Sequence, residues 1–261
     1  GLHGEERRLI VLPRNDASEL HLKSLHRIRR QSHLFAQILD IQKTRTDIHI
    51  VLDWVSGPTM KDYLDQVRAG NIVRPSLREA FRLARTMAHD LSRLHRHAFI
   101  VHGDLHPENL ILHRDSSRLV LIDFGSAWLM EAARGRHQTE GHRALYAAPE
   151  IFDTEIAPHE SADRFVAAMI AYELLTLQVP YEGLGGKAGW SQYRNEMTGT
   201  LIPPCSQHPD RNRVPLDAVN SIDAVISRGL DLQQGQRFQT GREWTDAYDK
   251  AWFDLNSNVR S

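Results

Sequence analysis

One stretch in the middle of the chain restricts the possible folds more than any other: a long helical pattern, a polar loop, and two short apolar runs. Ser76 is of the type that caps a helix, and Leu77, Phe81, Ala84, Met87, Ala88, Leu91 and Leu94 recur at the steps of one buried helix face. That helix delivers the chain to His102. Leu110 to Leu112 and Leu119 to Ile122 then flank the turn-like Arg114-Asp115-Ser116-Ser117 and predict a hairpin. Asp104 and Asn109 lie on the loop before this hairpin and Asp123 ends its second strand, so the Asp123 carboxylate can face the Asn109 amide oxygen across the turn, with Asp104 placed to accept a proton. Hard divalent cations take oxygen ligands of this kind.

Upstream, Leu9 to Leu12, ended by Pro13, and Ile48 to Leu52 read as strands. Leu22, Leu25 and Ile28 mark a helix between them, with Asp16 and Ser18 as available N-caps. The turn Ser56-Gly57-Pro58 divides the chain into residues 1–56, with strands and one helix, and residues 57–261, mainly helical. Phe165 to Leu177 is apolar but interrupted by Glu173, and it falls short of the ~20 residues a bilayer needs. It predicts a buried core helix and no membrane span. Lys and Arg number 32 against 33 Asp and Glu, so no global field draws the chain to nucleic acid. The lone Cys205 fits a reducing, cytoplasmic setting, and the first eight residues lack the apolar region of a signal peptide.

Three pieces in fixed order carry a resemblance: His102-Gly103-Asp104-Leu105-His106-Pro107-Glu108-Asn109, then Asp123-Phe124-Gly125, then Ala148-Pro149-Glu150. Together they resemble the protein kinase family. The resemblance implies an α+β, two-lobed protein-kinase-like fold with a truncated N-terminal lobe and a mainly helical C-terminal lobe. It implies ATP and Mg2+ as cofactors and a Ser or Thr hydroxyl of a protein as acceptor. Asp104 is then the base, and Asn109 and Asp123 are the metal ligands. Ile50 to Gly57 is similar to a kinase hinge strand, which places Leu52 at the gatekeeper position and the Asp53 to Val55 backbone against the adenine. Glu108 and Ile111 join the nucleotide-contacting set. The family's pattern further implies that Asp163 holds the catalytic-loop backbone and that Arg237 pairs with Glu150.

Some positions depart from the pattern. No glycine-rich loop is visible, Ile10 falls where the phosphate-binding lysine belongs, and Arg8 shares its strand face. His21 aligns best with the glutamate partner of that lysine, and Glu19 is the nearest acid. Gly103 replaces an arginine. His106 replaces a lysine, a spelling similar to aminoglycoside and choline kinases, although those lack Ala148-Pro149-Glu150. His142 and Arg143 stand where a threonine is expected.

Among the 15 histidines, His95, His97, His102 and His106 crowd one region without metal-ligand spacing, which favours loop and core roles. Trp190 and Tyr193 suit a partner surface or packing. The leading expectation is a Ser/Thr protein kinase domain. A pseudokinase scaffold and a small-molecule phosphotransferase are the alternatives. An additional N-terminal segment or neighbouring domain is expected over the bare strand Leu9 to Leu12.

Overall fold

A computed structural model describes residues 6–28, 35–114, 117–122, 128–129, 143–152, 159–190, 193 and 201–257. Alternating side chains along Arg7–Pro13 (β1) leave Leu9 and Val11 58% and 51% exposed, while Arg8, Ile10 and Leu12 turn inward and are half-buried. Strand β1 is the edge of a three-stranded antiparallel sheet, followed by Asp47–Asp53 (β3) and then Ile38–Lys43 (β2). The register sets Arg8 opposite Leu52 and Ile10 opposite Ile50. Ile48, Ile50 and Leu52 supply the buried face of the central strand.

Asp16–Ile28 (α1) crosses from β1 to β2 and buries Leu22 and Leu25. The side chains of His21 and Ile28 lie outside the described residues. The cap of α1 differs from the expectation of Asp16 or Ser18. Asn15 Oδ1 accepts the Ser18 amide at 3.0 Å, one residue earlier than proposed, and the Ser18 hydroxyl donates to the Pro13 carbonyl at 2.6 Å. Strand β2 was not anticipated, because Asp40, Gln42 and Lys43 dilute its apolar alternation and a register shift lies between Ile38 and Asp40.

Thr59 caps Met60–Arg68 (α2), and Ser76 caps Leu77–Arg93 (α3), its hydroxyl accepting the Glu79 amide at 3.2 Å. The seven apolar positions read as the inner face of α3 and its C-cap are all buried. Helix α3 packs on Glu160–Thr176 (α5) and Gly241–Asn256 (α7), while Leu216–Gly229 (α6) packs on both α5 and α7. Helix α5 is buried along its whole length, so the apolar Phe165 to Leu177 stretch is a core helix. No helix among the described residues is long and apolar enough to cross a membrane.

After α3, the π-helical turn Leu94–Ala98 and the left-handed Phe99 (φ 55°) lead into Ile100–Val101 (β4). Leu110–Leu112 (β5) and Leu119–Leu121 (β6) form the expected antiparallel hairpin. Trp128–Leu129 (β7) pairs with β4, and Arg143–Tyr146 (α4) precedes the Ala148-Pro149-Glu150 motif. Glu150 forms a bidentate ion pair with Arg237, with Nη1 at 2.6 Å from Oε1 and Nη2 at 2.9 Å from Oε2. Arg237 is fully enclosed and stacks over Phe165, 4.5 Å from the ring centroid.

Removing one member of a buried pair leaves an uncompensated charge, at a cost of about 3–5 kcal/mol. Arg237→Ala is therefore expected to lower the unfolding free energy by about that amount in urea titrations. An unchanged midpoint would show that the pair does not tie these helices together.

Candidate active site

The loop that carries Asp104 is fixed from below by one carboxylate. Asp163, in the first turn of α5, accepts the backbone N–H of His102 at 2.7 Å and that of Gly103 at 3.0 Å. His95 Nε2 lies 2.8 Å from the same side chain, and Asp163 is wholly buried. Burial alone pushes this carboxyl upward. The hydrogen bond from His95, the imidazoles of His95 and His102, and the Gly103 amide outweigh it and hold Asp163 below the usual carboxylate range. The π-helical turn brings His95 to this position. The sequence grouped it only with neighbouring histidines, and its helical spacing from the α3 core positions was the available signal.

Gly103 adopts φ +71°, a left-handed conformation that glycine takes at little cost. Beyond it, the Asn109 amide donates to the Asp104 carbonyl at 2.9 Å, and the Asn109 N–H donates to the His106 carbonyl at 2.9 Å. Asn109 is nearly buried, and with its NH2 committed to the loop, its side-chain oxygen is the atom available to a cation. The Asn109 carbonyl also accepts the Ile122 N–H at 3.0 Å, which sets the end of β6 beside the loop. Asp123, Phe124 and Gly125, like His142, lie outside the described residues. Among the described residues no cluster of metal-ligating side chains is present, and His95 and His102 are buried core groups.

The residues expected to face a nucleotide are on and below the sheet end. Leu52 is buried, Asp53 and Val55 are half-buried, and Asp53 binds Arg7 at 2.8 Å. Ile111 is half-buried in β5 and bridges to Thr59. A cation in this region is less well provided for. Ile10 packs against the core, and Glu19 is turned to Lys43 at 2.5 Å and Arg14 at 3.2 Å. Of the expected metal ligands only Asn109 lies among the described residues, and the ion pair that Glu19 makes is with Lys43 at the end of β2 and not with a cation on the inward face of β1.

On the other side of the loop, Glu108 is exposed and lines a cavity of about 690 Å³ together with His106 and Pro107. Helix α2, α4, the C-terminal end of α5 and residues from 178–183 and 201–202 complete its walls. At its floor, Glu173 is paired with Arg68 and accepts the Tyr146 hydroxyl at 2.9 Å. Burial, followed by the Glu173 charge, pushes the Tyr146 phenol above its ordinary range. Nothing in the local sequence pattern marked this triad, because its members lie on three separate elements. Gly186 explains how the 145–149 segment seats itself, since a Cβ there would lie 1.6 Å from the Ala147 carbonyl oxygen. The Trp190 and Tyr193 rings pack together with centroids 5.9 Å apart.

The family model of the protein kinase domain matches residues 16–253. The chain belongs to the protein kinase family. Members of that family generally use ATP and Mg2+. This kinase domain is 29% identical over 252 residues to CBL-interacting protein kinase 22 of Oryza sativa, covering 93% of this chain and 50% of that one. It is 30% identical over 156 residues to human ribosomal protein S6 kinase alpha-4, covering 59% and 19%. It is 27% identical over 198 residues to the serine/threonine-protein kinase PknB of Mycolicibacterium smegmatis, covering 75% and 29%. The chain thus spans half or less of each of these relatives.

Because the kinase's Asp163 is held below its unfolded-state value, its contribution is fully present above about pH 3.9 and is lost as pH falls through the lower folded value. Hydrogen bonds to a charged group contribute about 1.5–3 kcal/mol each. Asp163→Asn is expected to lose at least ~3 kcal/mol at pH 7 and to show a weaker loss of stability below pH 4 than the parent. Denaturant titrations at pH 7 and pH 3 check this, and matching curves for the two proteins would contradict it.

Proposed function

We propose that this kinase domain transfers the γ-phosphoryl group of ATP to a Ser or Thr hydroxyl of a protein. The observation that carries the reading is the loop itself: Asp104 and Asn109 are joined by one hydrogen bond and anchored through Asp163 to the most buried helix. A loop built this way, supported from α5, would hold a base and a metal ligand in fixed relation.

In this mechanism Asp104 accepts the proton of the acceptor hydroxyl as its oxygen attacks. Asn109 and Asp123 would hold magnesium. Bound Mg-ATP supplies the phosphoryl group and the neutralisation of its charge. Leu52, Asp53, Val55 and Ile111 line the adenine side, with Glu108 at the edge of the loop. We place the nucleotide between residues 1–56 and residues 57–261, and expect a further segment or neighbouring domain over the exposed strand that carries Leu9 and Val11. The relative named as a serine/threonine-protein kinase, PknB of Mycolicibacterium smegmatis, supports the acceptor class.

The scaffold reading has one specific observation in its favour. Ile10 occupies the inward position on β1 and Glu19 is committed to Lys43, so the usual phosphate cation and its partner are not assembled from the described residues. The lock between Glu150 and Arg237 weighs against the small-molecule phosphotransferase alternative.

ATP is expected to raise the melting temperature only when magnesium is present, corresponding to about 2.7 kcal/mol at a hundredfold excess over the dissociation constant. Asp123→Asn should abolish that gain. Asp104→Asn should retain it while reducing phosphate transfer to a test protein by about 10²–10⁴-fold. Ile10→Lys should tighten ATP binding by restoring a cation on the inward face of β1. Equal stabilisation by ATP with and without magnesium, in the parent and in all three variants, would replace the catalytic reading with the scaffold one.

A further inference from the structure

The phosphate chain of a nucleotide carries several negative charges, and a site that binds it meets them with fixed cations. The inward face of the sheet offers very few. Residues directly opposite one another in an antiparallel pair share a face, so the register sorts the sheet into rows. Arg8, Leu52 and Ile38 form the first row, Ile10, Ile50 and Ile41 the second, and Leu12, Ile48 and Lys43 the third. Ile38, Ile48, Ile50 and Leu52 are buried, which marks this face as the inward one. Among its described side chains the cations are Arg8, in the first row, and Lys43, in the third.

Lys43 is committed to α1, with its Nζ 2.5 Å from Glu19. Arg8 stands at the other end of the face and is half-buried. The nearby acid Asp53 lies on the opposite face, where it pairs in register with Arg7 and binds it at 2.8 Å. The first row is also where the sheet meets the catalytic loop. Just beyond Leu52, the Pro58 carbonyl accepts the Leu112 N–H at 3.0 Å and Thr59 bridges to Ile111. Just before Ile38, the Ala36 N–H donates to the Leu121 carbonyl at 3.3 Å. The β5–β6 hairpin is thereby fastened to this end of the sheet, and Asn109 immediately precedes its first strand.

A nucleotide seated against the backbone of 53–55 and reaching toward Asn109 crosses the face from which Arg8 projects. One row further on, about 7 Å along the strand, position 10 offers only an isoleucine packed against the core. A guanidinium suits the task, because it stays charged at every physiological pH and sets two parallel N–H donors against phosphate oxygens. Its long stem leans along the strand and covers the step between rows. We propose that Arg8 is the cation that binds the phosphate chain of the nucleotide in this domain, from a position one row nearer the catalytic loop than residue 10. The proposal rests on the phosphoryl-transfer reading for the identity of the ligand, and its test reads binding rather than turnover.

The test titrates ATP and adenosine, each with magnesium, into the whole chain with its Ile, Leu and Val methyl groups labelled for NMR. Arg8→Met keeps an unbranched stem and removes the charge. It is expected to weaken ATP binding at least about tenfold, the lower end of what a charge-assisted hydrogen bond contributes, and to leave adenosine within about twofold of the parent. Unchanged adenosine binding also shows that the variant is folded. Arg8→Lys should fall between the two, since an ammonium keeps the charge and loses the fork. Returning a charge one row on, by adding Ile10→Lys to Arg8→Met, should recover most of the lost ATP affinity, whereas adding Ile10→Met should not. Unaltered ATP binding in Arg8→Met, or equal loss of ATP and adenosine in both Arg8→Met and Arg8→Lys, overturns the proposal. Tighter ATP binding in Arg8→Met overturns it too, by showing that Arg8 obstructs the site, and so does a parent that binds ATP no better than adenosine. If the Arg8 variants behave as stated but the parent transfers no phosphate to any protein, the phosphate contact stands and the phosphoryl-transfer reading fails.

Discussion

A single buried carboxylate organises the lower half of this molecule. Asp163 sits inside the most enclosed helix, where an unpaired charge would be strongly unfavourable, and it remains ionised because two loop amides and His95 converge on it. Breaking the loop away would strand that charge. The geometry at Asp104 is thus tied to the stability of the core, and the loop cannot relax independently of α5. The Glu150 and Arg237 pair extends the same logic to the segment after the loop, where a second buried charge can be satisfied only by the folded arrangement.

The sheet side is built on a different balance. Its inward face is apolar at Ile10, Ile48, Ile50 and Leu52, and its outward face exposes Leu9 and Val11 on an edge strand with no partner among the described residues on that side. An exposed, alternating edge of this kind is a surface on which another strand can pair. Charged residues near it are turned to local partners, Arg7 to Asp53 and Glu19 to Lys43. The loop side is consequently over-determined by buried charge, whereas the sheet side is held chiefly by apolar packing.

What could be read from the sequence follows that same division. The α3 stripe, the β5–β6 hairpin and the edge strand were legible because each depends on local periodicity and turn residues, whereas the roles of Asp163 and Arg237 came only with the family resemblance. Asn15 as the α1 cap and strand β2 were not, since both depend on choices among similar residues that only the packed sheet decides. The Arg68, Glu173 and Tyr146 triad was invisible for a stronger reason. Its members are separated by up to 105 positions and none carries a local pattern that points to the others. Gly103 reads in the sequence as a lost arginine and in the structure as a residue suited to a left-handed turn under Asp163.

The most direct measurement of this organisation is native-state hydrogen exchange at the amides of His102 and Gly103. If Asp163 anchors the loop to the core, both amides exchange only through global unfolding, with protection equal to that of the slowest amides in α5. Exchange of these two amides through local opening, several kcal/mol below the global unfolding free energy, would contradict the anchoring on which the site depends.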